Sequence, residues 1–335
     1  VRLLRVLDVN LNRLDESLKL IEDITRFHLE NRILLSQIRS IRKDFLKFKR
    51  LLPMKKIISA RQSSHDLGRK ARFDSISKKN TDAVILSNLS RAKESARIIE
   101  EMLKNLDVRL SSKTKEIRFQ IYDFEKNIVS HFQRKFDPSL YAIIDEKYLR
   151  FSEISKVVSS LVNNSTTMIQ LRVNKLSDRN FLRYADRIKR ALSKKNVKFI
   201  INNRLDIALA CNADGVHVGQ EDIPLAQTRR ILGDTFIIGV STHNLKEAKR
   251  AEALGADYLG VGSIYPTKTK PEARICGLST LKSICRSVEI PVIGIGGIND
   301  KNYRAVLRAG ASGIAVASFL FEGNLTQRIR LLTRN

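Results

Sequence analysis

Cysteine is scarce in this 335-residue chain: Cys211, Cys276 and Cys285 are the only three, all in its C-terminal part. They are too few and too dispersed for a disulfide framework or a thiolate zinc site. Histidine is as sparse, and His28, His65, His131, His217 and His243 show none of the His-x-x-x-His or Cys/His spacings that a transition metal needs. No apolar run approaches the roughly 18 residues of a membrane span, so no transmembrane helix is expected. The opening stretch VRLLRVLDVNLNRLDE carries Asp8, Asp15 and Glu16 and lacks the continuous apolar segment of a signal peptide, which points to a cytoplasmic location. Also missing are low-complexity tracts, RNP-like, KH or zinc-knuckle motifs, and a G-x-G-x-x-G fingerprint after the first strand candidate.

Acidic residues are outnumbered, 35 against 61 Lys and Arg, for a formal charge of +26. Up to Pro138 there are 31 basic and 18 acidic residues, and beyond it 30 and 17, so the excess is spread along the chain rather than gathered in a tail. A generally basic proteome or diffuse steering of anions accounts for this better than nucleic-acid binding, and nucleic acid is not expected as a partner. With 43% hydrophobic and 29% charged residues the composition is that of a globular protein. Homo-oligomer formation is compatible with it and is not fixed by it.

What is present divides by periodicity near QRKFDPSLYAIIDE. Before Pro138, apolar residues recur at helical spacing: Leu11, Leu14, Leu18, Ile21 and Ile24, then Leu89, Ile98, Ile99, Met102 and Leu103. The segments NLNRLDESLKLIED (10–23) and NLSRAKESARIIEE (88–101) align at a constant offset of 78 and share polar Asn, Arg, Glu and Ser as well as Leu and Ile. That indicates a duplicated helical hairpin forming a small bundle, with residues 52–80 as the connection. Beyond Pro138, eight short apolar runs alternate with amphipathic stretches: 140–145, 167–172, 197–202, 215–219, 236–241, 258–264, 291–297 and 313–318. Near-continuous apolar strands at this spacing fit a closed (β/α)₈ barrel, the TIM-barrel form of the α/β class, better than an open sheet. The expected organisation is an all-α accessory domain over 1–135 and a barrel over 136–335.

In such a barrel, chemistry sits at the C-terminal ends of the strands, with phosphate often held by the loops after strands seven and eight. Polar residues there include Gln170 and Arg172, Asn202 and Asn203, Asp222, Ser241, and the run PTKTK with Thr267, Thr269 and Lys270. Gly296 and Gly297 let the backbone approach an anion closely, and Ala317 and Ser318 present further N–H groups, so one monophosphate fits there. Arg172 offers a planar fork and Lys270 a point charge for a second phosphorylated group. Asp222, the clearest carboxylate at a strand end, is either a Mg²⁺ ligand beside a diphosphate or a salt-bridged surface aspartate. His217, inside GVHVG, reads as a packed histidine more readily than as a catalytic base.

The segments QLR, INNRLDIALACNADGVHVGQEDIP, GVSTH, GADYLGVGSIYPTKTK and IPVIGIGGI occur in this order, and over residues 139–325 the chain resembles the thiamine phosphate synthases. The resemblance implies a transferase that joins an aminopyrimidine diphosphate to a thiazole phosphate with Mg²⁺ as cofactor. It implies that Gln170, Arg172, Asn202, Ser241 and Lys270 contact the pyrimidine diphosphate, with Arg172, Ser241 and Lys270 as the catalytic set. Asp222 would bind Mg²⁺, and Thr267, Thr269, Gly297, Ala317 and Ser318 would hold the thiazole phosphate. Residues 1–135 resemble an extension found on some members, which assigns them no activity.

Two departures from the family pattern stand out. QLRVN replaces the usual QLREK, placing Asn174 where Lys is common, and Asn202-Asn203 replaces Asn-Asp. The second Mg²⁺ ligand would then be the neutral amide of Asn203. The rival readings are a thiazole tautomerase on the same fold, against which Arg172, Asp222 and Lys270 argue, and a basic RNA-binding protein with a degenerate barrel.

Overall fold

The computed structural model describes residues 2–61, 80–267 and 274–333. It contains two compact units, Val1–Phe132 and Gln133–Asn335. Among the described residues no helix is long and apolar enough to cross a membrane.

The first unit is helical: α1 (Arg2–Phe27), α2 (Arg32–Lys49), a short α3 (Met54–Ser59) within the expected connection, α4 (Thr81–Lys104) and α5 (Val108–Gln133). Helix α1 packs against both α2 and α4. Leu7, Leu11, Leu14, Leu18 and Ile21 of α1 are buried, and so are Ile85, Leu89, Ala92, Ala96 and Ile99, which stand 78 positions later. Alanine in α4 stands where α1 has leucine at two of these positions, so the two related helices contribute side chains of different size to one core. The duplication is therefore one of structure as well as sequence. Asn10 and Asn88 each donate from Nδ2 to the carbonyl four residues back, both at 2.8 Å. The second helices align at an offset of 76, where Asn31 and Asp107 each accept from the backbone N–H three residues on, at Leu34 and Leu110. Buried Glu22 pairs with Arg42, and buried Glu100 pairs with Arg118 at the same two offsets.

The second unit is a closed barrel of eight parallel strands in sequence order, with β1 pairing with β8. The strands are β1 (Leu140–Asp145), β2 (Met168–Arg172), β3 (Lys198–Asn202), β4 (Gly215–Val218), β5 (Ile237–Thr242), β6 (Tyr258–Val261), β7 (Val292–Ile295) and β8 (Gly313–Val316). Between them run α6 (Ile154–Val162), α7 (Asp178–Ala191), α8 (Leu205–Ala210), α9 (Leu225–Leu232), α10 (Leu245–Ala253), α11 (Gly277–Cys285) and α12 (Tyr303–Arg308); α13 (Ser318–Phe321) and α14 (Leu325–Thr333) follow β8. Outward strand residues such as Ala142, Ile169, Phe199 and Val216 build the core under the helices. Inward residues, including Tyr141, Met168, Ile200, Ile237, Tyr258 and Ile293, fill the barrel itself.

One device recurs at the base of the barrel. Before β2, β4, β6 and β8 the chain passes through a residue with positive φ, Ser165, Asn212, Gly255 or Gly310. A small buried residue follows, Thr166, Ala213, Ala256 or Ala311. The next residue, Thr167, Asp214, Asp257 or Ser312, accepts a hydrogen bond from the first N–H of the preceding odd-numbered strand or of its second residue. At three of the four sites the small residue's N–H bonds five residues back, closing the preceding helix. Asp257 also takes Arg229 at 2.6 Å and Arg134 at 3.4 Å, so its carboxylate ties two strands and two further segments together.

Strands six and seven stop earlier than their apolar runs. The expected 258–264 ends at Val261, and 291–297 ends at Ile295; likewise β8, expected over 313–318, ends at Val316. Gly296 and Gly297 have φ of 95° and 62°, outside the extended region, so the chain turns inward there and cannot continue the ladder.

Candidate active site

The C-terminal ends of the strands surround a cavity of about 810 Å³. Gln170, Arg172, Asn202, Asn203, Asp222, Ser241, Thr267, Gly297, Ala317 and Ser318 all line it. Thr269 and Lys270 lie outside the described residues.

On the β7–β8 side, consecutive positive-φ glycines at 296 and 297 make a turn that residues with a Cβ rarely adopt. A Cβ on Gly297 would run into the carbonyl of Pro266 and into Tyr265, so no larger residue fits this turn unchanged. Asn302 holds the loop by donating to the Gly297 carbonyl at 2.9 Å. Ala317 and Ser318 follow β8 at the same rim.

On the β2–β4 side, Arg172 is 24% exposed and lies 3.8 Å from the buried carboxylate of Asp145 at the end of β1. Asp145 thus lies within ion-pair reach of the guanidinium, which lines the cavity. Asn203 takes a φ of 61°, a conformation asparagine tolerates better than most residues. Asp222 accepts the Gly219 N–H at 2.6 Å through one oxygen, Oδ2, which fixes the carboxylate at the rim. Among the described residues no three His, Cys, Asp or Glu side chains converge as a metal cage.

The sequence reading missed what lies beneath this rim. Gln170 donates from Nε2 to the Tyr141 hydroxyl at 2.7 Å, and Tyr141 and Tyr258 share a hydrogen bond at 3.0 Å. Tyr258 meets His217 Nδ1 at 3.1 Å, and His217 Nε2 meets Ser241 Oγ at 2.9 Å. His217 is packed, as expected, and is also the link between the barrel interior and Ser241. Burial pushes its pKa from the usual 6.5 to about 4, so the ring is neutral at physiological pH. Burial likewise pushes both tyrosine phenols above their ordinary value. The available signal was a hydroxyl-bearing tyrosine in two strand runs, since a buried phenol needs a partner. His243 and Glu247, paired at 3.0 Å, and Arg274 also line the cavity, and Glu247 and Arg274 were not singled out from the sequence.

A closed parallel barrel with a polar cavity at the C-terminal ends of its strands defines a (β/α)₈-barrel enzyme. The thiamine monophosphate synthase profile matches residues 140–320, and a second profile, the ThiD2 family, matches residues 5–127. The thiamine-phosphate synthase of Prochlorococcus marinus subsp. pastoris is 33% identical over 330 residues, which is 96% of this chain and 91% of that protein. The thiamine-phosphate synthase of Clostridium acetobutylicum is 46% identical over 182 residues, 54% of this chain and 86% of that protein. Among solved structures, thiamine phosphate pyrophosphorylase from Pyrococcus furiosus matches with a TM-score of 0.55 and 36% identity, covering 60% of this chain and 95% of that one. The chain belongs to the thiamine monophosphate synthase family and is a transferase.

Proposed function

We propose that the barrel joins 4-amino-2-methyl-5-hydroxymethylpyrimidine diphosphate to a thiazole phosphate, giving thiamine phosphate and diphosphate. The observation that carries this reading is one cavity lined on one side by the Gly296-Gly297 turn with Ala317-Ser318 and on another by Arg172 with Asn202, Asn203 and Asp222, which we read as places for two phosphorylated groups. A single phosphorylated substrate would need only one.

The bond between the pyrimidine methylene and the diphosphate oxygen breaks, the electron pair leaves with diphosphate, and the thiazole nitrogen forms the new bond to the methylene. Arg172 stabilises the charge that accumulates on the leaving group, and Lys270 is assigned the same role from the sequence. Ser241, Gln170 and Asn202 orient the pyrimidine substrate. Thr267, Thr269, Gly297, Ala317 and Ser318 hold the thiazole phosphate so that its ring nitrogen faces the methylene. No activated protein nucleophile is required.

The donor set at Asp222 and Asn203 suits Mg²⁺. Both supply hard oxygen, and one carboxylate with one amide matches an ion that takes few protein ligands and completes its shell with water and substrate phosphate. When bound, Mg²⁺ would neutralise diphosphate charge. The helical unit is an accessory to this chemistry, because every residue assigned to the reaction lies beyond Gln133.

The test is a coupled assay on the full chain with both substrates and Mg²⁺. Thiamine phosphate and diphosphate should form in equal amounts. Arg172→Ala should lower kcat/KM by about 100-fold, the size of a lost charge-assisted contact of roughly 3 kcal/mol. Absence of product from the wild-type protein would overturn the reading.

A further inference from the structure

The five side chains beneath the cavity rim form one continuous chain of hydrogen bonds: Gln170, Tyr141, Tyr258, His217 and Ser241. They come from β2, β1, β6, β4 and β5, so only a closed barrel brings them together. The interior is shaped to admit them. A Cβ on Gly239 would fall within the Tyr258 ring, and a Cβ on Gly260 would lie 2.9 Å from His217 Cε1.

The direction of this chain follows from proton counting. Gln170 Nε2 can only donate, so the Tyr141 oxygen accepts from it. Tyr141 is 2% exposed, and the acceptor within reach of its own proton is Tyr258. Tyr258, with no exposed surface, then donates a hydrogen bond to His217 Nδ1. A neutral imidazole that accepts at Nδ1 carries its proton on Nε2, and that proton points at Ser241 Oγ. Ser241 therefore accepts from below, and its own hydroxyl proton is available to the cavity. Reversed polarity would turn the serine proton inward and present only lone pairs to a ligand.

We propose that Tyr141, Tyr258 and His217 are positioning residues: their hydrogen-bond chain holds His217 as the Nε2–H tautomer and so makes Ser241 a donor to an acceptor atom of the pyrimidine diphosphate. The role of Ser241 rests on the function proposed above, whereas the tautomer does not. Tyr141 and Tyr258 lie at the floor of the cavity with almost no exposed surface, and the role assigned to them runs through the histidine.

The experiment is imidazole nitrogen NMR on the full-length protein with ¹⁵N-labelled histidine, in the absence of substrate. The His217 signals are identified by their loss in His217→Gln. The wild-type spectrum should show the proton on Nε2 and a bare Nδ1. In Tyr258→Phe the donor to Nδ1 is gone, both tautomers should appear, and kcat should fall about 10-fold, the size of one neutral hydrogen bond. KM for thiazole phosphate should stay unchanged. A wild-type His217 protonated on Nδ1 overturns the proposal on its own, whether or not the variant folds. So does a Tyr258→Phe protein with an unaltered tautomer and unaltered kcat. If the wild-type protein makes no thiamine phosphate but shows the Nε2–H tautomer, the assigned activity fails while the hydrogen-bond chain stands.

Discussion

Acidification should expose the cost of keeping His217 neutral. In the unfolded chain the imidazole titrates near 6.5, whereas in the folded barrel burial lowers its pKa to about 4. Its partners supply no negative charge to offset that burial: Tyr141 and Tyr258 are held in their neutral form by their own burial, and Ser241 does not ionise. A folded-state pKa below the unfolded one means that the unfolded chain binds the extra proton first. The stability tied to this residue is therefore complete above about pH 6.5 and is lost as pH falls toward 4. Within that window one proton separates the two states, so the barrel should lose about 1.4 kcal/mol per pH unit through His217, or about 3 kcal/mol in all. Carboxylates begin to titrate at the lower end of the same range, so the useful quantity is a difference in slope. Urea unfolding of the full chain, followed by circular dichroism at several pH values, should give a steeper slope for wild type than for His217→Gln. The variant should be less stable at pH 7, having lost its fitted hydrogen bonds, yet flatter toward pH 4. Parallel slopes would refute the argument, because they would mean that the native barrel accommodates an imidazolium at no penalty.

Three further outcomes follow from the geometry. Gly297→Ala combines a φ of 62° with a Cβ driven against the Pro266 carbonyl, and should raise KM for thiazole phosphate about 10-fold or more with smaller effect on the other substrate, as initial-rate kinetics would show. Asp257→Ala leaves the Ile238 N–H, Arg229 and Arg134 without their shared carboxylate and should destabilise the barrel by about 3 kcal/mol, read from the urea midpoint; a loss under 0.5 kcal/mol would contradict the bracing role. Asn203→Asp restores a second carboxylate beside Asp222 and should lower the Mg²⁺ concentration for half-maximal diphosphate release, so an unchanged titration would show that Asn203 does not face the ion.

The eight strands were legible because buried parallel strands must be apolar throughout, and the rim residues were legible because polar groups that end such runs emerge at the mouth. Three strands, β6, β7 and β8, were read too long by two or three residues. Gly-Ile-Gly-Gly-Ile is apolar by composition, and only the positive φ of Gly296 and Gly297 reveals that the final glycines belong to the loop. The hydrogen-bond chain was not legible for a different reason. Tyr141 and Tyr258 look like ordinary core residues of LYAIID and YLGVGSI, and their hydroxyls meet across 117 residues only after β1 and β6 face each other inside the barrel. Inward and outward positions in a strand buried on both sides have the same apolar character, so residue type alone does not say which tyrosine looks into the barrel.

The helical unit shows where the limit of sequence comparison lies. Matching identities found the related segments of α1 and α4, yet the strongest trace of duplication at this site is a pair whose identities differ at both ends. Asp15 of α1 meets Lys49 of α2 at 2.8 Å, and the positions 78 and 76 residues later, Lys93 and Glu125, meet at 2.6 Å with the charges exchanged. The two pairs are about equally half-buried, so each cation needs its acid more than a fully exposed one would. Changing one member alone places like charges, or an unpaired charge, against the bundle, whereas exchanging both restores the same attraction with the same geometry. An ion pair therefore constrains the sum of its charges and leaves their order free. A comparison that scores each position by itself counts two mismatches there. The distances show that the interaction itself is the repeated unit.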